Sequence, residues 1–244
     1  MIFIILTLIT CIIFTEDYND KPTIGICITA TGKYITLALP LIESARIYLC
    51  PEHKKTFYLF TDAIIDLPED VVVIPAKKYG WPFDSMFRFM FYLKNKELFE
   101  HNDYMIAIDA DMLFVDYVGT EILQPLVGSE HSLFTKKRGS FEEKNKKSKA
   151  YIAPHEGRCY FHATFYGGQT KRFISLLEVC SNYVAQDVKN KCIPIWHDES
   201  HLNRYFEDNP PVHLSPAYCY LDFCGLDIKP KIIGVPKDIH TIRK

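Results

Sequence analysis

Short apolar segments alternate with amphipathic ones along the first half of the chain. Four segments rich in β-branched or aromatic residues predict buried strands, at 24–31, 56–61, 71–74 and 104–108. Two amphipathic segments, at about 33–49 and 84–99, predict helices between them. Because this alternation is typical of parallel strands joined by crossover helices, we expect an α/β fold with a mainly parallel, doubly wound sheet.

Length and composition limit the number of domains. A chain of 244 residues, 48% of them hydrophobic, can bury a sizeable core as one large α/β domain or two small ones. No internal repeat and no change in composition marks a second boundary. The formal net charge of -2 does not indicate the overall basic character that nucleic-acid binding normally requires, so no nucleic-acid partner is expected.

The eight cysteines do not form a CxxC pair, which argues against a zinc ribbon or a redox motif. Cys27 and Cys180 lie in apolar segments and are predicted to be small core residues. Cys219 and Cys224 could pair in an oxidising compartment, and the sequence leaves that open.

Residues 1–14 are almost wholly apolar, and no Lys or Arg precedes them. As a helix they would be about 21 Å long, against a hydrocarbon core of about 30 Å. We expect residues 1–20 to comprise a short membrane anchor or uncleaved signal with a linker, and residues 21–244 to form the folded body. The expected location is a membrane, in the secretory pathway or Golgi if the cell is eukaryotic.

Asp109 and Asp111 follow the fourth predicted strand directly. Open α/β sheets bind their ligands at this carboxyl end of the strands. Two carboxylates two residues apart can both approach one hard cation, Mn²⁺ or Mg²⁺, which would neutralise a departing diphosphate. Such pairs are also common in solvated loops and helix caps, so it is the position after a strand that favours a metal site.

A second group of titratable residues begins at Trp196, in the segment WHDESHLN at 196–203. The indole offers an apolar face to a sugar ring, and the carboxylates of Asp198 and Glu199 can bind hydroxyls or act as nucleophile and base. Asp198 could instead cap the helix that follows. His197 and His201 have the spacing of zinc peptidases, but that motif requires Glu directly after the first His.

Two further segments have a simple structural interpretation beside a functional one. Gly167 and Gly168 follow the aromatic segment 159–166, either as a tight turn or as a place where backbone and ligand approach closely. The segment 138–149 is strongly charged and predicts a solvated loop, with a mobile lid as the functional alternative.

Taken together, these segments resemble glycosyltransferase family 6, which includes the blood-group A and B transferases and the α-1,3-galactosyltransferase. The resemblance rests on the Asp-x-Asp after a strand, HATFYGG at 162–168 and WHDESHLN at 196–203, and extends over about 24–243. VGTEILQPL at 118–126 and KAYIAPHEG at 149–157 add support.

This resemblance implies a single GT-A domain over residues 21–244, in which a Rossmann-like nucleotide-binding half merges with an acceptor-binding half. It also implies transfer of galactose or N-acetylgalactosamine from a UDP-sugar to a galactose-containing glycan, in α-1,3 linkage with retention. The expected cofactor is Mn²⁺, with Mg²⁺ as the alternative. The expected partners are the UDP-sugar and an oligosaccharide, glycolipid or glycoprotein acceptor.

The donor site implied by the resemblance combines uridine, metal, diphosphate and sugar contacts. Asp109 and Asp111 match the metal-binding pair, and the segment 29–32 reads TATG where the animal enzymes carry Phe-Ala-Ile-Lys. The donor residues carried over are Thr29, Ala30, Thr31, Tyr34, Arg88, Asp109, Ala110, Asp111, His162, Ala163, Thr164, Asp198, Lys237 and Arg243. Lys237 and Arg243 match a C-terminal tail that orders over the diphosphate.

The acceptor residues implied in the same way are His131, Trp196, Glu199 and Asp222. Glu199 also matches the candidate catalytic nucleophile. It could attack the β face of the anomeric carbon and form a glycosyl-enzyme, by the logic of retaining glycosidases. In the alternative, the acceptor attacks from the front face and Glu199 only stabilises positive charge. The sequence leaves both routes open.

The stretch His162-Ala163-Thr164 matches the position that chooses the donor sugar. Thr164 is bulkier than Ala or Gly and would crowd a 2-acetamido group, which favours UDP-galactose. A methyl-sized difference in a pocket discriminates by only about 1–3 kcal/mol.

Two other classes of function stand beside the transferase. A catalytically silent sugar- or nucleotide-binding relative would be expected to lose Asp109, Asp111 or Glu199, and all three are present. A zinc hydrolase using the HDESH segment would need a third ligand.

Overall fold

The computed structural model describes residues 21–243. The strands are β1 (Ile24–Thr29), β2 (Lys55–Thr61), β3 (Val71–Pro75), β4 (Tyr104–Asp109), β5 (Met112–Phe114), β6 (Leu126–Glu130), β7 (Phe161–Gln169), β8 (Val212–Leu214) and β9 (Ile232–Gly234). The α-helices are α1 (Ile35–Tyr48), α2 (Phe83–Met86), α3 (Arg88–Lys94), α4 (Thr170–Lys189), α5 (His197–Asp208) and α6 (Ile239–Ile242). Single 3-10 turns lie at Gly32–Tyr34, Lys96–Phe99, Thr120–Ile122, Pro216–Cys219 and Asp222–Cys224.

Within these residues, seven strands form a central sheet in the order β3-β2-β1-β4-β7-β6-β8, and β5 pairs with β9 in a small second sheet. Strands β1 to β4 are parallel to one another, as the alternation of segments predicted. The expected mainly parallel α/β sheet is therefore confirmed. It agrees with a single GT-A-like domain.

Strand β7 runs antiparallel to β4, with Phe165 opposite Ile108. The beginning of β7 therefore lies beside the end of β4. This reversal brings the stretch 162–164 next to Asp109, although more than fifty residues of chain separate them. At this edge of the sheet, the end of the parallel strand β4 therefore lies beside the beginning of the antiparallel strand β7.

The sheet buries both faces. Helix α1 packs on one face against Ile24, Ile26 and Ile28. Helices α3, α4 and α5 cover the other face, where α4 contributes a buried stripe at helical spacing: Phe173, Leu176, Leu177, Cys180 and Val184.

The described cysteines are all free. Cys27 and Cys180 are fully buried in the core, as predicted. Cys219 and Cys224, for which a disulfide was left open, are not paired, and the Cys219 thiol donates a hydrogen bond to the carbonyl oxygen of Glu130, at 3.0 Å.

Gly167 and Gly168 lie inside β7, so the expectation that they follow a strand as a turn or ligand approach was wrong. A Cβ at Gly167 would come within 2.1 Å of the Met105 carbonyl oxygen, and one at Gly168 within 2.4 Å of the Pro125 carbonyl oxygen. What approaches these glycines is therefore the backbone of neighbouring segments of the protein.

The predicted helix over 84–99 is broken into α2, α3 and a 3-10 turn. The break falls at Phe87, whose φ of -86° and ψ of 0° depart from regular helix. Arg88 therefore opens a new helix, and its side chain is directed at the end of β4.

The charged segment 138–149 is neither a simple solvated loop nor a detached lid. Phe141 packs against the ring of Tyr160, with 4.9 Å between centroids. The buried Glu142 carboxylate accepts hydrogen bonds from the backbone N–H groups of Lys144 (3.1 Å) and Ile195 (2.9 Å). These contacts fasten the segment to the chain that leads into α5.

Residues 21–243 contain no helix that is long and apolar enough to cross a membrane. The expected anchor or signal at residues 1–14 lies outside the described residues.

We predict that Gly167→Ala destabilises the protein more than Gly25→Ala. The new methyl at 167 meets the rigid backbone of β4, whereas at 25 it meets the Met105 thioether, which can rotate away. Overpacking of a core costs about 1–3 kcal/mol, and we expect the upper end at 167 and the lower end at 25. Urea unfolding of both variants measures the difference. An equal or smaller loss at 167 contradicts the account.

Candidate active site

A cleft runs along the edge where β1 and β4 end and β7 begins. It has two chambers that share Trp81, Ser85, Arg88, Asp109 and Arg243. The first chamber is also lined by Thr29, Thr31, Tyr34, Ala110, Asp111 and Lys237. The second is also lined by His131, His162, Ala163, Thr164, Trp196, Asp198 and Glu199.

Two of the predicted site residues do not line either chamber. Ala30 is buried in the sheet, where its N–H donates to Phe60 O (2.8 Å) and its carbonyl accepts from Thr61 Oγ1 (2.7 Å). Asp222 is exposed on a 3-10 turn, and its neighbour Leu221 lines the second chamber instead. The other predicted residues come together in one cleft.

Arg88 joins the two chambers electrostatically. Its guanidinium forms an ion pair with Asp109 at the end of β4 and another with Asp198 in α5, where Nε lies 3.2 Å from Oδ2. The side chains of Arg88 and Asp198 are only 10% and 9% exposed. A guanidinium between two carboxylates offsets only part of the cost of burying these charged groups, since burial still dominates the pKa of Asp198.

Asp198 does not cap α5, contrary to one of the two roles considered for it, because its carboxylate is directed at Arg88. Burial raises the pKa of Asp198 to about 7, even though Arg88 acts in the opposite direction. Near neutral pH this carboxyl group is therefore present in both its protonated and its ionised form.

Glu199 is held at both carboxylate oxygens. The Tyr160 hydroxyl donates to Oε1 at 2.7 Å, and the Ala163 backbone N–H donates to Oε2 at 3.0 Å. Burial raises the pKa of Glu199, while these two bonds and His131 lower it. Its place in the first turn of α5 also favours a negative charge.

The rings of His131 and His162 pack against each other beside Glu199, with 4.2 Å between centroids and 56° between the ring planes. Burial lowers the pKa of each to about 4, so both imidazoles are neutral at pH 7. The Nδ1 atoms accept backbone N–H bonds from Leu133 (3.2 Å) and Thr164 (3.3 Å).

One ring nitrogen from each of His131 and His162 and one carboxylate oxygen of Glu199 all lie within 4.8 Å of one another, a spacing that could hold a metal ion. However, an engaged Nδ1 leaves the hydrogen of a neutral imidazole on Nε2. These rings therefore offer N–H donors, which suit hydroxyl oxygens better than a cation.

The geometry opposes the zinc-hydrolase alternative. His201 is fully buried, with Nδ1 3.0 Å from His197 O and Nε2 3.0 Å from Asp187 Oδ2. Both of its ring nitrogens therefore have oxygen partners within the protein. The His197 ring packs instead against Trp81, with 4.8 Å between centroids.

The C-terminal segment closes the first chamber. Lys237 forms an ion pair with Asp111 and lies over the Tyr34 ring at 5.5 Å. Arg243 lies over the Trp81 ring at 4.7 Å, and Lys33 Nζ donates to Thr241 O at 3.0 Å. Burial lowers the pKa of Lys237, against the effect of Asp109.

The residues at the end of β4 fit a hard divalent cation. Asp109 and Asp111 present only oxygen ligands, as Mg²⁺ and Mn²⁺ prefer, and both line the first chamber. Asp109 pairs with Arg88, and Asp111 pairs with Lys237. This part of the cleft therefore attracts positive charge.

Comparison with known proteins agrees with this site. Residues 9–244 match the sequence profile of glycosyltransferase family 6. The histo-blood group ABO system transferase 1 of Rattus norvegicus is 34% identical over 249 residues, covering 95% of this chain and 72% of that protein. This chain belongs to glycosyltransferase family 6.

Two other relatives extend the comparison. The globoside α-1,3-N-acetylgalactosaminyltransferase 1 of Homo sapiens is 32% identical over 237 residues, covering 91% of this chain and 68% of that protein. The O-antigen biosynthesis glycosyltransferase WbnI of Escherichia coli is 28% identical over 222 residues, covering 88% of this chain and 95% of that protein. This family 6 protein is thus a glycosyltransferase, whose partners are a nucleotide-sugar donor and a glycan acceptor.

The sequence did not single out two residues of this family 6 site. Tyr160 holds Glu199, and Trp81 separates the chambers and packs on both His197 and Arg243. A Trp directly after Gly80 was an available signal for the second. Tyr160 had none, because it is one of several aromatic residues in the segment 159–166.

We predict that Arg88→Met destabilises the protein by about 3–5 kcal/mol, because it leaves two carboxylates without their buried counter-ion. The matched control is Arg46→Met, which removes pairs with Asp70 and Glu43 at a partly exposed site and should cost about 1 kcal/mol or less. Urea unfolding compares the two. A loss at Arg88 no larger than that at Arg46 contradicts the bridging role.

Proposed function

We propose that the protein transfers galactose from UDP-galactose to a galactose-containing glycan, in α-1,3 linkage, with retention and with assistance from Mn²⁺. The observation that carries this proposal is the cleft itself. The pair Asp109 and Asp111 ends β4 on one side, Asp198 and Glu199 open α5 on the other, and Arg88 joins them. N-acetylgalactosamine is the alternative sugar, and Mg²⁺ the alternative cation.

The first chamber suits a nucleoside diphosphate. Thr29, Thr31 and Tyr34 line it at the end of β1, where uridine would lie. Asp109 and Asp111 would hold the cation, which would supply neutralising charge to the departing diphosphate. Lys237 and Arg243 add two further cationic groups in the same chamber.

The donor sugar would lie between the chambers. Asp198 in its carboxylate form accepts hydrogen bonds from sugar hydroxyls, and Arg88 keeps it in place. The buried Thr164 limits the space beside His162, with its Oγ1 2.8 Å from the imidazole Nδ1. This crowding favours galactose, whose 2-hydroxyl is smaller than an acetamido group.

The names of the relatives support the linkage more than the sugar. The human relative is named for α-1,3 transfer of N-acetylgalactosamine, and two rat relatives are named as blood-group ABO transferases. The name of the human relative therefore supports an α-1,3 linkage. The preference for galactose rests on Thr164.

Glu199 is the group best placed to meet positive charge at the anomeric carbon. Tyr160 and the Ala163 N–H fix its two oxygens, yet each oxygen keeps a lone pair for substrate. As a nucleophile, Glu199 would form a bond to the anomeric carbon while the bond to the diphosphate breaks, and the acceptor oxygen would then displace it. In the front-face route it stabilises the oxocarbenium-like charge without bonding.

The acceptor would occupy the second chamber. His131 and His162 offer N–H donors to sugar hydroxyls, and the half-exposed Trp196 indole offers a stacking face. The Trp196 Nε1 donates to Ser140 Oγ at 2.8 Å, which fixes the plane of the ring.

We also propose that residues 1–14 attach the protein to a membrane.

The full chain in mild detergent, incubated with Mn²⁺, lactose or fucosylated lactose, and each UDP-sugar, should release UDP faster from UDP-galactose. EDTA should stop the release. Asp111→Asn should also abolish it, whereas Asp116→Asn, which alters an aspartate paired with Lys229 outside the cleft, should not. UDP release is measured by a coupled assay.

Full activity of the Asp111→Asn variant would remove the metal assignment. Faster release from UDP-N-acetylgalactosamine would reassign the sugar. Binding of UDP with no release from either donor would instead favour the catalytically silent relative.

We predict that Glu199→Gln lowers the rate of transfer at least tenfold, equivalent to about 1.4 kcal/mol of barrier. The amide keeps the shape of the side chain but cannot carry negative charge. Glu207→Gln on the same helix is the matched control and should leave the rate unchanged. Steady-state kinetics at saturating donor decide the matter, and an unchanged rate at 199 removes its catalytic role.

A further inference from the structure

Two segments that are distant in sequence form one surface beside the second chamber. The Ile195 N–H donates to Glu142 Oε2 at 2.9 Å, and Trp196 Nε1 donates to Ser140 Oγ at 2.8 Å. Residues 140–142 therefore lie against residues 195–196.

A second set of bonds joins the same segments further along. The carboxylate of Asp187 accepts hydrogen bonds from Ser148 Oγ at 2.6 Å and from the Lys149 N–H at 2.7 Å. Within the segment 187–196 itself, the Cys192 N–H donates to the carbonyl oxygen of Asp187 at 2.8 Å. Segments 140–149 and 187–196 are thus fastened at both ends and present a continuous face.

This face is strongly basic, although the whole chain has a net charge of -2. Its acidic side chains are already engaged, since Glu142 and Asp187 are buried and Glu143 pairs with Arg138. Among residues 21–243, no carboxylate pairs with any of six exposed lysines on this face: Lys144, Lys146, Lys147, Lys149, Lys189 and Lys191.

Large apolar side chains stand exposed among these lysines. Ile193 is 49% exposed, Ile195 44% and Trp196 47%. A surface that binds only a polyanion, such as a nucleic acid, requires basic groups and does not require exposed isoleucines. Lysines around aliphatic side chains and a Trp are instead the combination that binds the headgroups and outer acyl region of an anionic bilayer.

We propose that the lysine-isoleucine face, defined by these six lysines with Ile193, Ile195 and Trp196, docks on an anionic lipid bilayer. Trp196 belongs both to this face and to the second chamber, so docking brings the mouth of that chamber to the membrane. Docking of this kind implies that the acceptor glycan is carried by a lipid, and this inference about the acceptor rests on the proposed function. The docking itself does not.

The test measures partition of the full chain into vesicles of phosphatidylcholine alone and of phosphatidylcholine with 30% phosphatidylglycerol, a fraction chosen to be roughly that of an anionic membrane surface. Side chains of residues 1–15 carry no charge, so they contribute similarly to both compositions. The informative quantity is therefore the ratio of the two partition coefficients. It is measured without donor or acceptor, so a failed transferase assay does not affect it.

Replacement of Lys144, Lys146 and Lys147 by Gln should lower this ratio at least about tenfold, since each lysine near an anionic surface contributes roughly fivefold. The matched control replaces three exposed lysines elsewhere, Lys54, Lys94 and Lys171, by Gln and should change the ratio less than about twofold. An equal ratio for the triple variant and the unmodified chain overturns the proposal, as does an equal loss in the control.

The two tryptophans of the chain allow a second readout. In Trp81→Phe, fluorescence reports Trp196 alone, and brominated anionic lipids should quench it, while Ile193→Ser with Ile195→Ser should reduce the quenching. Absence of quenching despite binding places the contact elsewhere. Equal binding to dextran sulfate without quenching identifies a simple polyanion site. Either result overturns the proposal.

Discussion

The guanidinium of Arg88 determines how the halves of the cleft meet. Arg88 is the first residue of α3, and its guanidinium pairs with Asp109 at the end of β4 and with Asp198 in the first turn of α5. The buried carboxylate of Asp198 and the partly buried carboxylate of Asp109 would repel each other without it. The separation between the end of β4 and the first turn of α5 is therefore limited by the reach of one side chain.

The direction of β7 is the second constraint. In a wholly parallel sheet, only the carboxyl ends of strands would meet at the ligand-binding edge. Here β7 is reversed, so its first residues lie beside Asp109, and the Ala163 N–H reaches Glu199. The glycines later in β7 keep the strand close to β4, since any side chain at Gly167 would strike the Met105 carbonyl.

Sequence reasoning located the parts of the site that carry strong local signals. An apolar strand ending in two aspartates places Asp109 and Asp111 at the ligand-binding edge, and the dense polar segment 196–203 marks the start of α5. The four parallel strands β1 to β4 follow from the alternation of apolar and amphipathic segments. These features depend on residues near one another in the chain.

What the sequence could not show depends on partners far away in the chain. The strongly charged segment 138–149 hides a buried Glu142 whose partner is the N–H of Ile195. Phe87 interrupts an otherwise continuous helical pattern, and the purpose of Gly167 is visible only beside β4. In each case a contact between distant parts of the chain overrides a local preference, and the local sequence does not reveal that contact.

The carboxylate of Asp187 joins two parts of the fold. It accepts bonds from Ser148 and the Lys149 N–H on one side, and it lies 3.0 Å from the His201 imidazole on the other. His201 belongs to the same helix as Glu199, two residues along. The buried carboxylate of Asp187 therefore connects residues 148–149 to α5, the helix that also carries Glu199, so loss of this one side chain would release both attachments at once.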